Sequence, residues 1–259
     1  MVARALTIAG SDSGGGAGIQ ADLKAFSAMG VYGASAVTAV TAQNTRSVTA
    51  IHPIPDDVVA AQIEAVLDDI QIDAIKIGML GTPSLIKTVA HALKDYTGPI
   101  ILDPVMVAKS GAVLLADEAV DALKAELVGR ATLLTPNLPE AAALVGAGEV
   151  GVQADALLKL GARAVLMKGG HADGAMCEDL FVSANSTRTF TAVRINTANT
   201  HGTGCSLSSA IAAGLAQSEQ LETAVEKAHG WLHQAIRAAD ELGVGRGHGP
   251  VHHFHALWS

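Results

Sequence analysis

The chain has 259 residues, a formal net charge of −8, and 49% hydrophobic but only 3% aromatic residues. That hydrophobic share, beside 16% charged residues, excludes a disordered chain. No Lys/Arg-dense run supports nucleic-acid binding, and no apolar run reaches the ~18 residues of a membrane span.

A core of Ala, Val, Ile and Leu suits helices packed on a parallel sheet. Residues 6–10 form a short apolar run ending in glycine, the pattern of a buried strand. As an N-terminal segment this run is too short for a secretory signal. After the glycine-rich stretch 14–18, Ile19, Leu23, Phe26 and Met29 recur at helical spacing and predict a helix over 19–29. A strand is predicted at 36–40. Asp56 and Asp57 open a helix over 56–69 with Val59, Ile63, Val66 and Leu67 on one face.

The alternation continues with a strand at 74–77, a helix at 84–93, a strand at 99–102 ending at Asp103, and a helix at 116–127. Leu133 and Leu134 form a short strand running through Asn137 to Glu140 and a further helix. Residues 164–167 are a strand ending at Lys168, and 177–183 with 188–193 predict an antiparallel pair at a sheet edge. Two helices close the chain, one after Cys205 and one over 221–242. No linker, composition break or repeat interrupts the series, so residues 1–259 are expected to form one domain of right-handed βαβ units. In such sheets ligands bind beyond the carboxyl ends of the strands. Gly10, Asp12, Gln43, Met79, Asp103, Asn137 and Lys168 all fall there and should share one rim.

The most informative motif is Asn199-Thr200-His201-Gly202-Thr203-Gly204-Cys205-Ser206, a glycine-rich turn running into a small-residue helix. Such a junction aims backbone N–H groups and the positive helix end at one point, where an anion is stabilised. Cys205 lies on it, and a helix N-terminus lowers a thiol pKa from about 8.5. A plain helix start would use the same residues; a second glycine-rich turn, 14–18, favours the functional reading. Gly16-Ala17-Gly18-Ile19-Gln20-Ala21 approaches a dinucleotide fingerprint, but the acid expected about 20 residues on is missing. A flexible loop closing over a small substrate fits better, and replacing Gly16 by Val is expected to leave the fold intact.

Other residues carry two readings. Asp22 reads by itself as a solvated or capping carboxylate. Asp103 and Glu140 follow strands and suit Mg²⁺ bound through water, although a first-turn acid complementing its helix dipole explains Glu140 equally. Lys168 has few acidic neighbours in sequence and should project into the rim. His248, His252, His253 and His255 read as a packed tail rather than a metal site. Cys177 reads as an inert strand residue, and both cysteines as free thiols of a reducing cytoplasm.

Seven ordered blocks resemble the hydroxymethylpyrimidine/phosphomethylpyrimidine kinases of thiamine biosynthesis, in the ribokinase superfamily. They are the stretch from Leu6 through Gly10-Ser11-Asp12 to Asp22, Lys76-Ile77-Gly78-Met79-Leu80, Asp103-Pro104-Val105-Met106, Thr135-Pro136-Asn137-Leu138-Pro139-Glu140-Ala141, Met167-Lys168-Gly169-Gly170-His171, the Asn199–Cys205 turn and the terminal stretch from Gly249 to His255. The resemblance implies a ribokinase-like three-layer α/β/α sandwich with a mostly parallel sheet. It implies ATP- and Mg²⁺-dependent phosphorylation of 4-amino-5-hydroxymethyl-2-methylpyrimidine and then of its monophosphate. Pyrimidine contacts map onto Asp22, Gln43 and Met79, with Gly10 and Val105 as nearby walls. The anion hole maps onto Gly202, Thr203 and Gly204, and the base onto Cys205. Lys168 and Asn137 map near the ATP phosphates, and Glu140 near Mg²⁺ with Asp103 as a second metal candidate. A cytoplasmic homodimer is implied. The alternatives are a pyridoxal or pyridoxine kinase and a non-catalytic pyrimidine-binding sensor.

Overall fold

The computed structural model describes residues 1–107, 111, 114–170 and 174–258; His171 of the lysine motif lies outside them. The first half runs β1 (Arg4–Asp12), α1 (Gly18–Ala28), β2 (Tyr32–Gln43), β3 (Val48–Pro53), α2 (Asp56–Asp69), β4 (Ala74–Ile77), α3 (Pro83–Ala92), β5 (Ile100–Leu102) and α4 (Asp117–Glu126). The second runs β6 (Leu133–Leu134), α5 (Leu138–Val145), α6 (Val150–Lys159), β7 (Ala164–Met167), β8 (Met176–Ser183), β9 (Thr187–Val193), α7 (Thr203–Ala216) and α8 (Leu221–Arg237).

One sheet takes the order β3-β2-β1-β4-β5-β6-β7-β8-β9. The six strands from β2 to β7 in that order pair in parallel, while β3, β8 and β9 are antiparallel additions at the two edges. Side chains alternate across the sheet. Leu6, Ile8, Ile75, Ile77, Ile100 and Leu102 pack with Val59 and Ile63 of α2, Ile86 of α3 and Leu123 of α4. Ala5, Ala74 and Ile101 face the opposite side, against Phe26 of α1, Leu207 and Ile211 of α7 and Val225 of α8. The result is the expected α/β/α sandwich, and the short central strands are apolar except for Lys76 of β4, because helices cover both faces.

Helix starts follow local chemistry. Thr82 caps α3 by accepting from the Leu85 N–H, and Asn137 caps α5 in a reciprocal box with Glu140. The structure differs from the sequence reading in an additional strand β3, an additional helix α6, a β2 that extends from the expected 36–40 to Tyr32–Gln43, and an α8 that ends at Arg237 before a separate 3₁₀ turn. Buried His252 and His253 belong to a packed tail, in which His253 sits against Trp231 and within 2.8 Å of Ser206 Oγ. Among the described residues no single helix is long and apolar enough to cross a membrane.

Candidate active site

The strand ends open onto a cleft of about 1350 Å³ lined by Gly10, Gln43, Met79, Asp103, Val105, Asn137, Glu140, Lys168 and the 202–205 turn. A typical ligand pocket is ~300–1,000 Å³, so this one has room for two substrates. At one end Gly10 brings the backbone against Met79, whose sulfur would stand 3.1 Å from a Cβ there. Gln43 shares that end and lies 3.3 Å from His201 Nε2. The other end is lined by Cys177, Asp179, Arg194, His229 and Leu232. Cys177, a strand residue on β8 as read from the sequence, lines this end of the cleft.

The two glycine-rich turns are joined by Asp12. Its carboxylate accepts from the N–H groups of Gly14, Gly16 and Ala17 at 2.8–3.0 Å and meets His201 Nε2 at 2.8 Å. Burial alone would raise the Asp12 pKa, but the His201 hydrogen bond and these amides hold it below the usual carboxylate range. Gly202 has a left-handed φ of 79°, and a Cβ there would overlap the Gly16 carbonyl. A Cβ on Gly16 would in turn overlap the His201 ring. The 14–18 stretch is thus a clamped part of the scaffold, which corrects the expectation of a free lid whose Gly16 tolerates valine.

At α7 the first N–H groups have no carbonyl to bond within the helix, and they open onto the cleft. Lys168 lies beside them: a Cβ on Gly204 would stand 3.1 Å from its Nζ. Lys168 Nζ donates to Asp103 Oδ1 at 2.8 Å and lies 3.9 Å from Glu140 Oε2. Its acidic partners come from distant elements, hence their absence from its sequence neighbourhood. Burial opposes charge on Lys168, but Asp103 and then Glu140 hold its pKa above the usual lysine value. Burial also pushes Glu140 upward, whereas Lys168 and Lys76 overcome burial at Asp103 and hold it low.

Asp103 also accepts from Thr135 at 3.2 Å and from Ser208 at 3.4 Å. In this arrangement Asp103 is the counter-ion of Lys168, and it lines the cleft as well. Glu140 retains one oxygen outside the capping box. Among the described residues no three His, Cys, Asp or Glu side chains cluster as a metal cage.

Two further corrections concern Asp22 and Cys205. Asp22 is fully buried beneath the cleft, where it accepts from Thr7 at 2.6 Å, Ser209 at 2.7 Å and Lys76 at 3.0 Å on both oxygens. It is therefore neither solvated nor a cap, which corrects its reading in isolation, and with its acceptor sites so occupied its side chain does not line the cleft. Cys205 does line the cleft, but burial pushes its thiol up to about 11 rather than down; the charge of Lys76 and the Gly18 N–H oppose that rise. Desolvation outweighs the helix end.

Sequence reasoning placed Asp12 on the rim and His201 in the glycine-rich turn without giving either a role, and it missed Lys76 and Asp179 as site residues. Asp179 accepts from the Gly169 N–H at 2.8 Å and so holds the turn after Lys168, where a Cβ on Gly169 would overlap the Glu178 carbonyl. Lys76 carried a readable signal: it is the one charged residue of the apolar strand Ala74-Ile75-Lys76-Ile77.

The family profile described as phosphomethylpyrimidine kinase matches residues 12–252. The chain is 53% identical to the hydroxymethylpyrimidine/phosphomethylpyrimidine kinase of Rhizobium meliloti (strain 1021), covering 100% of this chain and 99% of that protein. It is similar to the crystal structure of phosphomethylpyrimidine kinase from Clostridium difficile 630, with a TM-score of 0.80 and 42% identity over 90% of this chain and 99% of that one. The ADP complex of Bacillus subtilis pyridoxal kinase superposes with a TM-score of 0.91 at 34% identity, covering 100% of both chains.

Proposed function

The chain belongs to the phosphomethylpyrimidine kinase family and is an ATP-using kinase of hydroxymethylpyrimidine and phosphomethylpyrimidine in thiamine biosynthesis; from this premise we propose how its cleft divides the work. The pyrimidine ring lies at the end bounded by Gly10, Gln43, Met79 and Val105, with the hydroxymethyl group toward Cys205. ATP occupies the opposite end, with its phosphates between Lys168, Asn137 and the first turn of α7. The convergence of Lys168 and the Gly202–Cys205 turn on one point is the observation that carries this reading.

Phosphoryl transfer asks a protein mainly for positioning and charge neutralisation. The amides of Gly202, Thr203 and Gly204 face the charge that develops on the transferred group. Lys168 exchanges part of its Asp103 and Glu140 pairing for phosphate oxygens. Cys205 accepts the hydroxymethyl proton as the new O–P bond forms and the bond to the ADP oxygen breaks. Because that proton leaves late in a loose transition state, a weakly ionised thiol can still serve.

Glu140 is a hard oxygen donor at the cleft beside Lys168 and fits a hydrated divalent cation. Mg²⁺ would be held there through water, and when bound it neutralises phosphate charge. Residues 1–259 act as one domain. A homodimer is supported by the exposed edge strand β3 with its exposed Ile51 and by the exposed Val40 of neighbouring β2, and two free cysteines suit a reducing cytoplasm. Light scattering at the monomer's 26.3 kDa would refute the dimer.

The deciding experiment is product analysis after incubation with Mg-ATP and, in parallel, the aminopyrimidine, its monophosphate and pyridoxal. Both pyrimidine phosphates are expected. A wide preference for pyridoxal without pyrimidine monophosphate turnover would overturn the substrate reading, and full turnover by Cys205→Ala would overturn the base.

A further inference from the structure

Lys76 is the least expected charge in the molecule. Its side chain is 0% exposed, on a strand whose other three residues are apolar core. Asp22 is equally sealed, and the two meet at 3.0 Å. A buried ion pair of this kind is seldom a net gain, since an apolar pair of similar volume is often as stable or more so. Its position gives the reason to look beyond stability. Ser209, which donates to Asp22, lies one helical turn after Cys205 on α7, so both residues share one face of that helix. Lys76 forms part of the same cleft wall as Cys205 and Gly18. Gly78 leaves room for the ammonium, because a Cβ there would stand 2.8 Å from Nζ.

We infer that the Lys76–Asp22 pair is the built-in counter-charge of Cys205: Lys76 stabilises the sulfur in its anionic form, and Asp22 limits how far. Resting on the reading of Cys205 as proton acceptor, this makes Lys76 a positioning residue for the transfer. In the step itself the hydroxymethyl proton passes to the anionic sulfur, the oxygen attacks the γ-phosphorus, and the bridging oxygen leaves on ADP with its electron pair. The thiol then returns its proton to solvent.

Among the described residues, the charged groups that act on the sulfur each have a defined sign. Lys76 from β4 favours the anion; Asp22 from α1 and Asp103 beyond β5 oppose it. Lys168 beyond β7 faces it as a second cation. The Gly18 N–H at the start of α1 also favours the anion. Cys205 in turn is one of the charges that hold Lys76 protonated against its burial. Lys168 is the cation that meets phosphate, so among the described residues that act on the sulfur Lys76 is the cation left to serve it when both substrates are bound.

The test is the pH profile of iodoacetamide alkylation at Cys205, read by peptide mass so that Cys177 is scored separately. Asp22→Asn removes an opposing charge and should move the alkylation midpoint down. Lys76→Met/Asp22→Asn removes the pair without leaving a lone buried charge. Its midpoint should move up by about one pH unit, a tenfold change in thiolate fraction below the midpoint. Its kcat should fall by a larger factor than KM rises, and the optimum of kcat should move to higher pH. A wild-type alkylation midpoint in either folded variant would overturn the inference, and the double variant alone decides it if Asp22→Asn, which leaves Lys76 as a lone buried charge, does not fold. If the midpoints shift as expected but Cys205→Ala keeps full turnover, the coupling stands and the proton-acceptor reading falls.

Discussion

Two lysines sit near the same helix end, and they are held in opposite ways. Lys76 is sealed and matched one to one by Asp22, whose remaining acceptor capacity is filled by Thr7 and Ser209. Lys168 borders the cleft and is outnumbered by Asp103 and Glu140. The first arrangement is complete without a ligand. The second carries a surplus carboxylate, so an ammonium already well placed can change partners when phosphate and cation arrive. A closed pair serves as fixed electrostatics, whereas an unbalanced cluster at a cleft serves as a binding device.

Breaking the sealed pair should have the largest effect. Lys76→Met alone leaves Asp22 buried and uncompensated, and should lose about 3–5 kcal/mol in urea unfolding. Adding Asp22→Asn should return most of that loss; no recovery would mean that the pair is not a closed unit. Lys168→Met breaks the open cluster instead. Its turnover should fall about 10²–10³-fold with a raised KM for ATP, as expected for a lost charge on the transferred group. Its unfolding free energy should change less than that of Lys76→Met, because Glu140 can take up a proton at the cleft.

The turn leading into the helix of Asp22 gives a third, smaller test. Gly16→Val drives side-chain atoms into His201 and Pro250 and should cost about 1–3 kcal/mol in thermal or chemical unfolding. An unchanged melting curve would restore the picture of a loose loop. The smallest effect concerns Glu140. Its pKa is raised in the folded protein, chiefly by burial, so its ionised form destabilises the fold above the ordinary carboxylate range. Glu140→Gln keeps the capping box and should be more stable than wild type at pH 8, on the order of 1 kcal/mol. The difference should vanish toward pH 4, where Glu140 is protonated in both folded and unfolded chains. Equal stability at pH 8 would show that the surplus carboxylate carries no penalty.

Local pattern made much of the fold legible. The runs 56–69, 74–77, 133–134 and 164–167 coincide with α2, β4, β6 and β7, because first-turn acids, helical spacing and short apolar runs are properties of neighbouring residues. The elements not legible are those whose stability comes from elsewhere. β3 is exposed, contains a proline and is held by its pairing with β2. α6 directly follows another helix across a short turn, which the alternation of strands and helices does not signal.

The sequence by itself determined the alternating architecture, the rim of strand ends, and the residue types gathered there: the glycine turns, Lys168, Asn137, Glu140 and Cys205. Only the tertiary structure decided what those side chains do to one another. It turned Asp22 inward onto Lys76, gave Asp103 to Lys168, clamped the first glycine turn through Asp12 and His201, and raised the Cys205 thiol instead of lowering it. The physical reason is that charge energetics depend on burial and on partners tens of residues away in sequence. Those are quantities of the folded interior and leave little trace in local spacing.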